Sequence, residues 1–364
     1  MRVFLLEPYH TGSHAAWAEG WARHSRHDVE LLTLPGRFWK WRVHGSSVSL
    51  AEMTGALVSD GGPPDAVVAS GMTDLPTYLG LTRKIIGNPT TMLYLHENQL
   101  TYPESPRTRG VDLSYAFINW RSMLAADAVV FNSEFHRHEF QTALPVFLRN
   151  FPDERHSHLI PAVEAKTGVA PVGVDLARLL APRRSNPPLI LWNQRWEYDK
   201  DPEAVFDGLY AVAGKGYDFE VAICGENFRQ SPDEFEQAAQ RLGDRVVHMG
   251  FADDDEYLQL LARATIVVSA ALHEFFGVAV VEAMASEAFP ILPNRLSYPD
   301  LLPEDSHQSC LYEDAPGYVE RLVWALEHQE EAAGIAGRIA RSVQKFDWPE
   351  VAPLYDDILE GLAV

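Results

Sequence analysis

Short apolar runs alternate with amphipathic helical patterns along nearly the whole chain of 364 residues. Strands that alternate with helices predict parallel sheets covered by helices on both faces. A chain of this length exceeds what one hydrophobic core commonly supports, which favours two domains. We therefore expect an α/β protein of two Rossmann-like domains that face each other across a cleft, with ligands at the carboxyl ends of the strands.

The predicted elements fall into two sets on either side of a proline-rich segment, residues 160–188. This segment is the expected linker between a first domain over 1–170 and a second domain that starts at 171. Predicted strands lie at 3–6, 29–33, 66–69, 91–95, 128–131, 189–193, 219–224, 246–249, 265–269 and 289–292. Predicted helices lie at 13–24, 46–59, 113–125, 134–148, 202–214, 232–242, 256–262, 277–285 and 317–328.

The charge of the chain is unevenly distributed. The net charge is −21, from 30 basic and 51 acidic residues. Residues 1–170 hold 15 basic and 17 acidic side chains, a net of −2, whereas residues 171–364 hold 15 and 34, a net of −19. Nucleic-acid phosphates are bound by lysine and arginine, so the net charge of the whole chain argues against a nucleic-acid partner, whereas the near-neutral first half does not.

Composition also bears on the compartment. The two cysteines, Cys224 and Cys310, make neither a disulfide framework nor a ligand cluster, which agrees with a reducing compartment and argues against structural zinc. The apolar runs are shorter than the ~18–20 residues that span a bilayer, and the first residues lack a signal-peptide layout. We expect a cytoplasmic protein.

The stretch SAALHEFFGVAVVEAM, residues 269–284, joins a predicted strand to a predicted buried helix. If the helix begins near Gly277, Glu274 lies in the loop before it and Glu282 about 7–8 Å further along the axis. The free N–H groups of a helix start attract an anion, while carboxylates accept hydrogen bonds from hydroxyls. A nucleotide sugar offers both partners; the alternative is a carboxylate paired with a core arginine.

A second charged pair, Arg195 and Lys200, flanks the turn between the strand at 189–193 and the helix at 202–214. Two cations at such a turn can clamp a diphosphate and stabilise the negative charge that develops when it leaves. The alternative is a set of surface ion pairs with Glu197 and Asp199.

The first loop, residues 9–14, follows the first strand. Gly12 lets the backbone approach a ligand closely, and Ser13 is the expected N-cap of the following helix. Contact with a phosphate and an ordinary capped turn both remain open. The loop lacks the G-x-G-x-x-G pattern, which disfavours a nicotinamide enzyme.

Residues 36–42 interleave three cations with three aromatic side chains. Cations neutralise phosphates and aromatic rings stack on bases, the combination found in single-stranded RNA recognition. We expect acceptor contacts from Arg37, Trp39, Lys40, Trp41 and Arg42; the alternative is that the aromatic rings belong to the core.

Polar side chains also follow the strand at 91–95, namely His96, Glu97, Asn98 and Gln99. The carboxyl end of a parallel strand is where ligands bind, so His96 is predicted to contact substrate, with Asn98 and Gln99 on the acceptor side; a structural histidine is the alternative. In contrast, the acidic run at 253–256 is expected to cap a helix and form its first turn, not to hold a metal.

Arg195, Lys200, Glu274 and Glu282 together resemble the donor site of retaining glycosyltransferases of the GT-B, family 4 type. The resemblance implies that the two cations bind the donor diphosphate, that Glu274 contacts the transferred sugar, and that Glu282 holds the nucleotide ribose. It also assigns Gly12, Ser13, Phe275, Phe276 and Gly277 to donor binding. The family's ending is matched by FDW at 346–348, which implies a second domain over 171–345 and a terminal helix over 346–364 that crosses back onto the first domain.

Several longer stretches resemble the tRNA-queuosine α-mannosyltransferases. They are LLEPYHTGSH, LPGRFWKWR, LYLHENQLTYP, VVFNSEFH, RWEYDKDPE, HEFFGVAVVEAM and PNRLSYPDLLP. The resemblance implies GDP-mannose as donor, the cyclopentenediol of queuosine in tRNA as acceptor, and no cofactor besides the nucleotide sugar.

The expected reaction retains the anomeric configuration, proceeds without a metal ion, and uses His96, Arg195, Lys200 and Glu274 as its catalytic residues. One rival is an enzyme of the same fold that uses another nucleotide sugar and a lipid, glycan or small-molecule acceptor. The other is a non-catalytic protein that binds nucleotide or RNA.

Overall fold

The computed structural model describes residues 1–101, 112–225 and 233–363. Pro232 of one predicted helix and Tyr102 and Pro103 of the LYLHENQLTYP stretch lie outside these ranges. The chain forms two compact units. The first comprises Met1–Val174 together with Trp348–Val364, and the second is Asp175–Asp347.

The first unit is built on six parallel strands in the order β2-β1-β3-β4-β5-β6. Its four inner strands, β1, β3, β4 and β5, are buried along most of their length because helices cover both faces, as parallel sheets require. The elements are β1 Arg2–His10, α1 Gly12–His24, β2 Asp28–Pro35, α2 Trp39–Gly61, β3 Ala66–Ser70, α3 Leu75–Ile86, β4 Thr90–Leu95, α4 Leu113–Ala125, β5 Ala128–Phe131, α5 Glu134–Leu148, α6 Ile160–Glu164 and β6 Thr167–Val169.

The second unit repeats this design, with six parallel strands in the order β12-β11-β10-β7-β8-β9. Its elements are β7 Leu189–Asn193, α7 Pro202–Gly214, β8 Glu220–Cys224, α8 Asp233–Leu242, β9 Val246–Gly250, α9 Asp254–Arg263, β10 Ala264–Val268, α10 Val278–Ala285, β11 Phe289–Pro293, α11 Tyr298–Leu301, α12 His307–Cys310, β12 Leu311–Tyr312, α13 Ala315–Glu327 and α14 Gln329–Ser342. The fully buried rings of Trp192 and Tyr298 belong to its core.

Ten predicted strands are present, with ends shifted by no more than a few residues. Two predictions need correction. The helix predicted from 46 begins at Trp39, and residues 160–188, predicted as a linker, contain α6 and the edge strand β6. Helices α3, α11, α12 and α14 and the two-residue strand β12 were not predicted. Helix α3 carries its own start signals, since Asp74 accepts from the N–H of Thr77 and a proline follows at the first turn.

The terminal helix α15, Trp348–Leu362, is part of the first unit and packs on α1. The buried carboxylate of Asp356 accepts from Trp21 Nε1 at 2.9 Å, Ser25 Oγ at 2.7 Å and the N–H of Arg26 at 2.9 Å. The indole of Trp348 leaves no room for a Cβ at Gly20, which would lie 2.1 Å from it. These contacts tie the two ends of the chain into one core.

None of the helices that the structure describes combines the length and the apolar character needed to cross a lipid bilayer.

Candidate active site

The strand order of the second unit opens a crevice at the carboxyl ends of β7 and β10. These strands are neighbours, and β8 lies on the other side of β7 while β11 lies on the other side of β10. The connections that leave them therefore diverge, which is the point where open α/β sheets bind ligands. Arg195 and Lys200 follow β7, and Glu274 follows β10, so three of the predicted residues stand at this switch point.

Lys200 and Glu274 form an ion pair there. Lys200 Nζ lies 3.1 Å from Glu274 Oε2, donates to the carbonyl of His273 at 2.8 Å, and lies 3.4 Å from Asp199 Oδ2. Burial alone would lower the pKa of Lys200, but the carboxylates of Glu274 and Asp199 raise it above its usual value. The lysine is therefore a cation at neutral pH.

Glu274 is correspondingly held as a carboxylate. Burial alone would raise its pKa, yet Lys200 and the Phe276 N–H, which donates to Oε1 at 3.3 Å, bring the pKa of Glu274 below the usual value. The site thus presents a fixed positive charge beside a fixed carboxylate. The cation can bind a phosphate, and the carboxylate can accept hydrogen bonds from the hydroxyls of a sugar.

Helix α10 begins beside this pair. Its N-cap residue, Gly277, has φ +98°, a conformation that a residue with a Cβ rarely adopts, and among the described side chains none caps the helix. A helix start without a side-chain cap leaves N–H groups and the positive end of the dipole for an anion. Phe275 and Phe276, predicted to bind donor, are both buried. Their rings pack against protein, and Phe276 meets Phe346 edge to face at 5.2 Å.

Glu282 lies within α10, and its carboxylate accepts hydrogen bonds from two side chains. Arg178 Nη2 donates to Oε1 at 2.8 Å and Tyr257 OH donates to Oε2 at 2.8 Å. Tyr257 OH in turn accepts from Asn193 Nδ2 at 2.9 Å. Burial raises the pKa of Glu282, and these partners oppose that rise. The pairing with an arginine matches the alternative stated for this residue, and its contact with ribose stays a prediction.

Arg195 differs from Lys200 in its exposure. Its side chain is 54% exposed and Nη1 lies 3.5 Å from Glu197 Oε2. Its charge also lowers the pKa of Lys200, so the guanidinium is within electrostatic reach of the buried cation. The ion pairs given as the alternative are both present, Arg195 with Glu197 at the surface and Lys200 with Asp199 in a buried position. They coexist with the Lys200–Glu274 pair.

The first unit has its own switch point, between β1 and β3. A cleft at that edge is lined by His14 after β1, Gly71 and Met72 after β3, His96, Glu97 and Gln99 after β4, and Asn119 of α4. The position predicted for His96 is confirmed, since it is the first residue after β4. Asn132, at the end of β5, fixes the His96 carbonyl with a hydrogen bond of 2.8 Å.

Four titratable side chains meet in this cleft. Glu7 Oε2 lies 3.0 Å from His14 Nδ1 and 4.0 Å from His96 Nε2, and His14 Nε2 lies 3.7 Å from Glu97 Oε2. Burial alone would lower the pKa of His14, but Glu7 and then Glu97 raise it to about 10. Burial, and then the charges of His14 and His136, lower the pKa of His96 well below its usual value.

Glu7, His14 and His96 are also the described residues whose ligand atoms are close enough to hold a metal ion, within 4.8 Å of one another. The hydrogen bond between Glu7 and His14 already accounts for two of these atoms, and we assign no metal to them. Glu7 and His14 were missed as site residues in the sequence. The available signal was a glutamate within the apolar run VFLLE, where a carboxylate needs a partner.

One prediction for the first unit is wrong. Ser13 does not cap α1, because the helix begins at Gly12 and Thr11 occupies the N-cap position; Gly12 has open space beside it. Asn98 is fully buried and closes its own turn, since Oδ1 accepts from the N–H groups of Leu100 at 2.9 Å and Thr101 at 3.0 Å. Its side chain is thus engaged in this turn, and its contact with the acceptor stays a prediction.

The segment at 36–42 forms the start of α2, with Phe38 in the left-handed region at φ 57°. Phe38 and Trp41 are 73% and 65% exposed, and Arg37 and Lys40 are also exposed. Trp39 instead packs on Tyr115 at 5.2 Å, and Arg42 donates to the carbonyl of Pro35. Arg37, Phe38, Lys40 and Trp41 are therefore accessible to a partner, whereas Trp39 and Arg42 make contacts within the unit.

Comparison with known proteins gives the families to which the chain is similar. Residues 2–174 match the family model described as tRNA-queuosine alpha-mannosyltransferase N-terminal, and residues 181–341 match glycosyl transferases group 1. The chain is 33% identical over 322 residues to a tRNA-queuosine alpha-mannosyltransferase of Drosophila melanogaster, covering 84% of this chain and 82% of that one. A GDP-mannose:cellobiosyl-diphosphopolyprenol alpha-mannosyltransferase of Xanthomonas campestris is 26% identical over 172 residues, 46% of this chain and 45% of that one.

Solved structures give the same fold over the whole chain. Sucrose-phosphate synthase from Thermosynechococcus elongatus superposes with a TM-score of 0.76 at 16% identity, covering 100% of this chain and 99% of that one. The catalytic domain of starch synthase IV from Arabidopsis thaliana gives 0.75 at 15% identity, with the same coverage.

The fold and the site at the β7–β10 switch point define a glycosyltransferase of the GT-B class. More narrowly, the chain belongs to the tRNA-queuosine alpha-mannosyltransferase family.

Proposed function

We propose that the protein transfers mannose from GDP-mannose to the queuosine nucleoside of tRNA in the cytoplasm, with retention at the anomeric carbon and without a metal ion. The observation that carries the proposal is the buried Lys200–Glu274 ion pair at 3.1 Å, set beside the open start of α10. The likeness to the Drosophila enzyme supports the acceptor. The Xanthomonas relative, whose name specifies GDP-mannose, supports the donor.

The proposed chemistry is one displacement on the face from which the diphosphate leaves. The bond between the anomeric carbon and the phosphate oxygen breaks, the acceptor hydroxyl oxygen forms a new bond to that carbon, and the hydroxyl proton passes to the departing phosphate oxygen. Charge grows on the diphosphate in this step. Lys200, Arg195 and the N–H groups at the start of α10 stabilise that charge, and these fixed cations take the place that a divalent metal occupies in other transferases.

Other side chains hold the two substrates. Glu274 accepts hydrogen bonds from hydroxyls of the mannose, and Glu282 from those of the ribose. His96 contacts a sugar hydroxyl. We assign acceptor binding to the first unit, through Gln99 in the cleft and through the exposed surface of Arg37, Phe38, Lys40 and Trp41.

The test incubates the protein with GDP-mannose and with tRNA that contains or lacks queuosine, in the presence of EDTA. The expected result is a mass gain of one hexose on the queuosine nucleoside alone. The transferred mannose should have the α configuration at its anomeric carbon. Parallel reactions supply UDP-glucose as donor and a polyprenol diphosphate sugar as acceptor. Transfer only to the polyprenol substrate, or transfer that EDTA abolishes, contradicts the corresponding part of the proposal.

A further inference from the structure

The cleft of the first unit contains the imidazoles of His14 and His96 and the fully buried carboxylate of Glu7. The proposed reaction gives no role to His14 or Glu7. The rings of His14 and His96 are 4.3 Å apart between centroids. Glu7, on β1, is 0% exposed. Two positive charges at this separation repel each other strongly in a buried site, so only one of the rings can be an imidazolium at moderate cost.

The distances decide which ring carries the charge. Glu7 Oε2 lies within hydrogen-bond range of His14 Nδ1, at 3.0 Å, but 4.0 Å from His96 Nε2. Glu97 lies on the other side of His14, at 3.7 Å from Nε2. His14 is therefore flanked by two carboxylates, whereas the buried Nε2 of His96 has no hydrogen-bond partner among the described residues.

The carboxylate of Glu7 is itself held in place. Its other oxygen, Oε1, accepts from the N–H of Tyr9 at 2.8 Å. This contact forms where the pairing of β1 with β2 shifts register, between Glu7 and His10. Irregularities of this kind re-aim side chains at the ends of strands and are common beside active sites. Glu7 is thus pre-oriented toward α1.

We propose that Glu7 is a positioning residue: it keeps His14 protonated and, through that cation, keeps the imidazole of His96 neutral in the cleft. A neutral imidazole has one donor and one acceptor nitrogen, so it can orient a sugar hydroxyl in either sense, whereas an imidazolium only donates. The identity of that hydroxyl rests on the proposed function, but the charge states do not.

The surroundings of the two rings reinforce this distribution of charge. The titratable groups that face them are Glu7 and Tyr9 of β1, Tyr94 of β4, Glu97 after β4, His136 of α5, and Tyr355 of α15, which donates to Tyr94. The carboxylates approach His14, while His96 is bordered by Trp17, Tyr94 and the two other histidines. This difference in surroundings agrees with the raised pKa of His14 and the lowered pKa of His96.

The test compares the wild-type chain with Glu7→Gln, which keeps the shape of the side chain and removes its charge. Nitrogen-15 spectra of the imidazoles report protonation directly, with His14→Gln and His96→Gln to assign the signals. In the wild type, His14 should be charged from about pH 6 to beyond pH 8, and His96 neutral over the same range. In Glu7→Gln, His14 should lose its charge within that range and His96 should become protonated at higher pH than before.

The kinetic readout is the pH profile of kcat/KM for transfer. Glu7→Gln should gain an acid limb near neutral pH, where the wild type is flat, because His96 is no longer shielded from protonation. Glu19→Gln is the matched control, since Glu19 of α1 pairs with His10 at 3.2 Å in a second glutamate–histidine pair, whose glutamate is 50% exposed; its profile should equal that of the wild type.

A neutral His14 at pH 7 in the wild type, or charge states that Glu7→Gln leaves unchanged, overturns the inference. If Glu7→Gln does not fold, His14→Gln supplies the same test, because removal of the cation should allow His96 to bind a proton at higher pH. The spectra need no substrate. Inactivity of the wild type on every donor and acceptor would contradict the proposed function, while the spectra would still decide the role of Glu7.

Discussion

Lys200 Nζ lies 3.1 Å from Glu274 Oε2, and both groups are drawn from loops that follow different strands of the second sheet. The lysine is 8% exposed and the glutamate 22%. A pair this well shielded from solvent retains most of its electrostatic strength and depends on both members.

Lys200→Met should therefore affect both stability and catalysis. It leaves Glu274 and Asp199 buried without their cation, and we expect a loss of about 3 kcal/mol in the free energy of unfolding. Turnover should fall by roughly 10²–10³-fold because a charge that stabilises the leaving group is gone. The double variant Lys200→Met/Glu274→Gln should recover part of the stability, since Asp199 still lacks its cation, and none of the turnover. Thermal unfolding and initial rates measure the two effects, and recovery of turnover in the double variant would contradict the assigned role.

Glu282→Ala should chiefly weaken nucleotide binding. Loss of a charged hydrogen-bond acceptor costs about 1.5–3 kcal/mol, so GDP affinity should fall roughly 10–100-fold. Tyr257→Phe removes one hydroxyl that donates to Glu282, and we expect a decrease of only a few-fold. Calorimetric titration with GDP measures both. An unchanged GDP affinity in Glu282→Ala would contradict the proposal that Glu282 binds the ribose.

Arg195→Ala should lower turnover, by about 10²-fold, without destabilising the fold. The side chain is 54% exposed, and exposed ion pairs contribute little to stability. The control is Arg184→Ala, because Arg184 also forms an exposed ion pair, with Glu287 at 2.9 Å. The two variants should have the same unfolding curve, and only Arg195→Ala should have a lower transfer rate. Equal transfer rates would show that Arg195 has no role in catalysis.

Trp41→Ala should weaken tRNA binding and leave GDP binding intact. Stacking of a base on an aromatic ring contributes about 1–3 kcal/mol, so affinity for tRNA should fall roughly 5–100-fold. Leu81→Ala provides the control, as Leu81 is a large exposed apolar residue, 55% accessible, on α3 of the same unit. Fluorescence anisotropy with labelled tRNA makes the comparison, and equal affinities in the two variants would place the acceptor elsewhere.

Much of the fold was predictable because the buried strands are continuous apolar runs, as in 66–69 and 128–131, and such runs are strong local signals. The strands that were missed, β6 and β12, have three and two residues. Strands this short depend on a neighbouring strand for their definition, and no local pattern of side chains predicts them.

The candidate site was predictable where a motif and the end of a strand coincide, as at Lys200 and Glu274. The acidic run at 253–256 is another such case: Asp253 accepts from the N–H of Glu256 and caps α9, as predicted. Arg178 and Tyr257, the partners of Glu282, could not be found in this way. They lie 104 and 25 residues from it in sequence, and only the sheet order brings them together.

The last helix of the chain completes the first unit, since Asp356 and Trp348 hold α1 from a position more than 320 residues downstream of it. During synthesis the amino-terminal half therefore emerges with Trp21 and its neighbours still uncovered, and its core closes only after α15 has been made. A truncation that removes α15 would uncover α1, the helix that also carries His14.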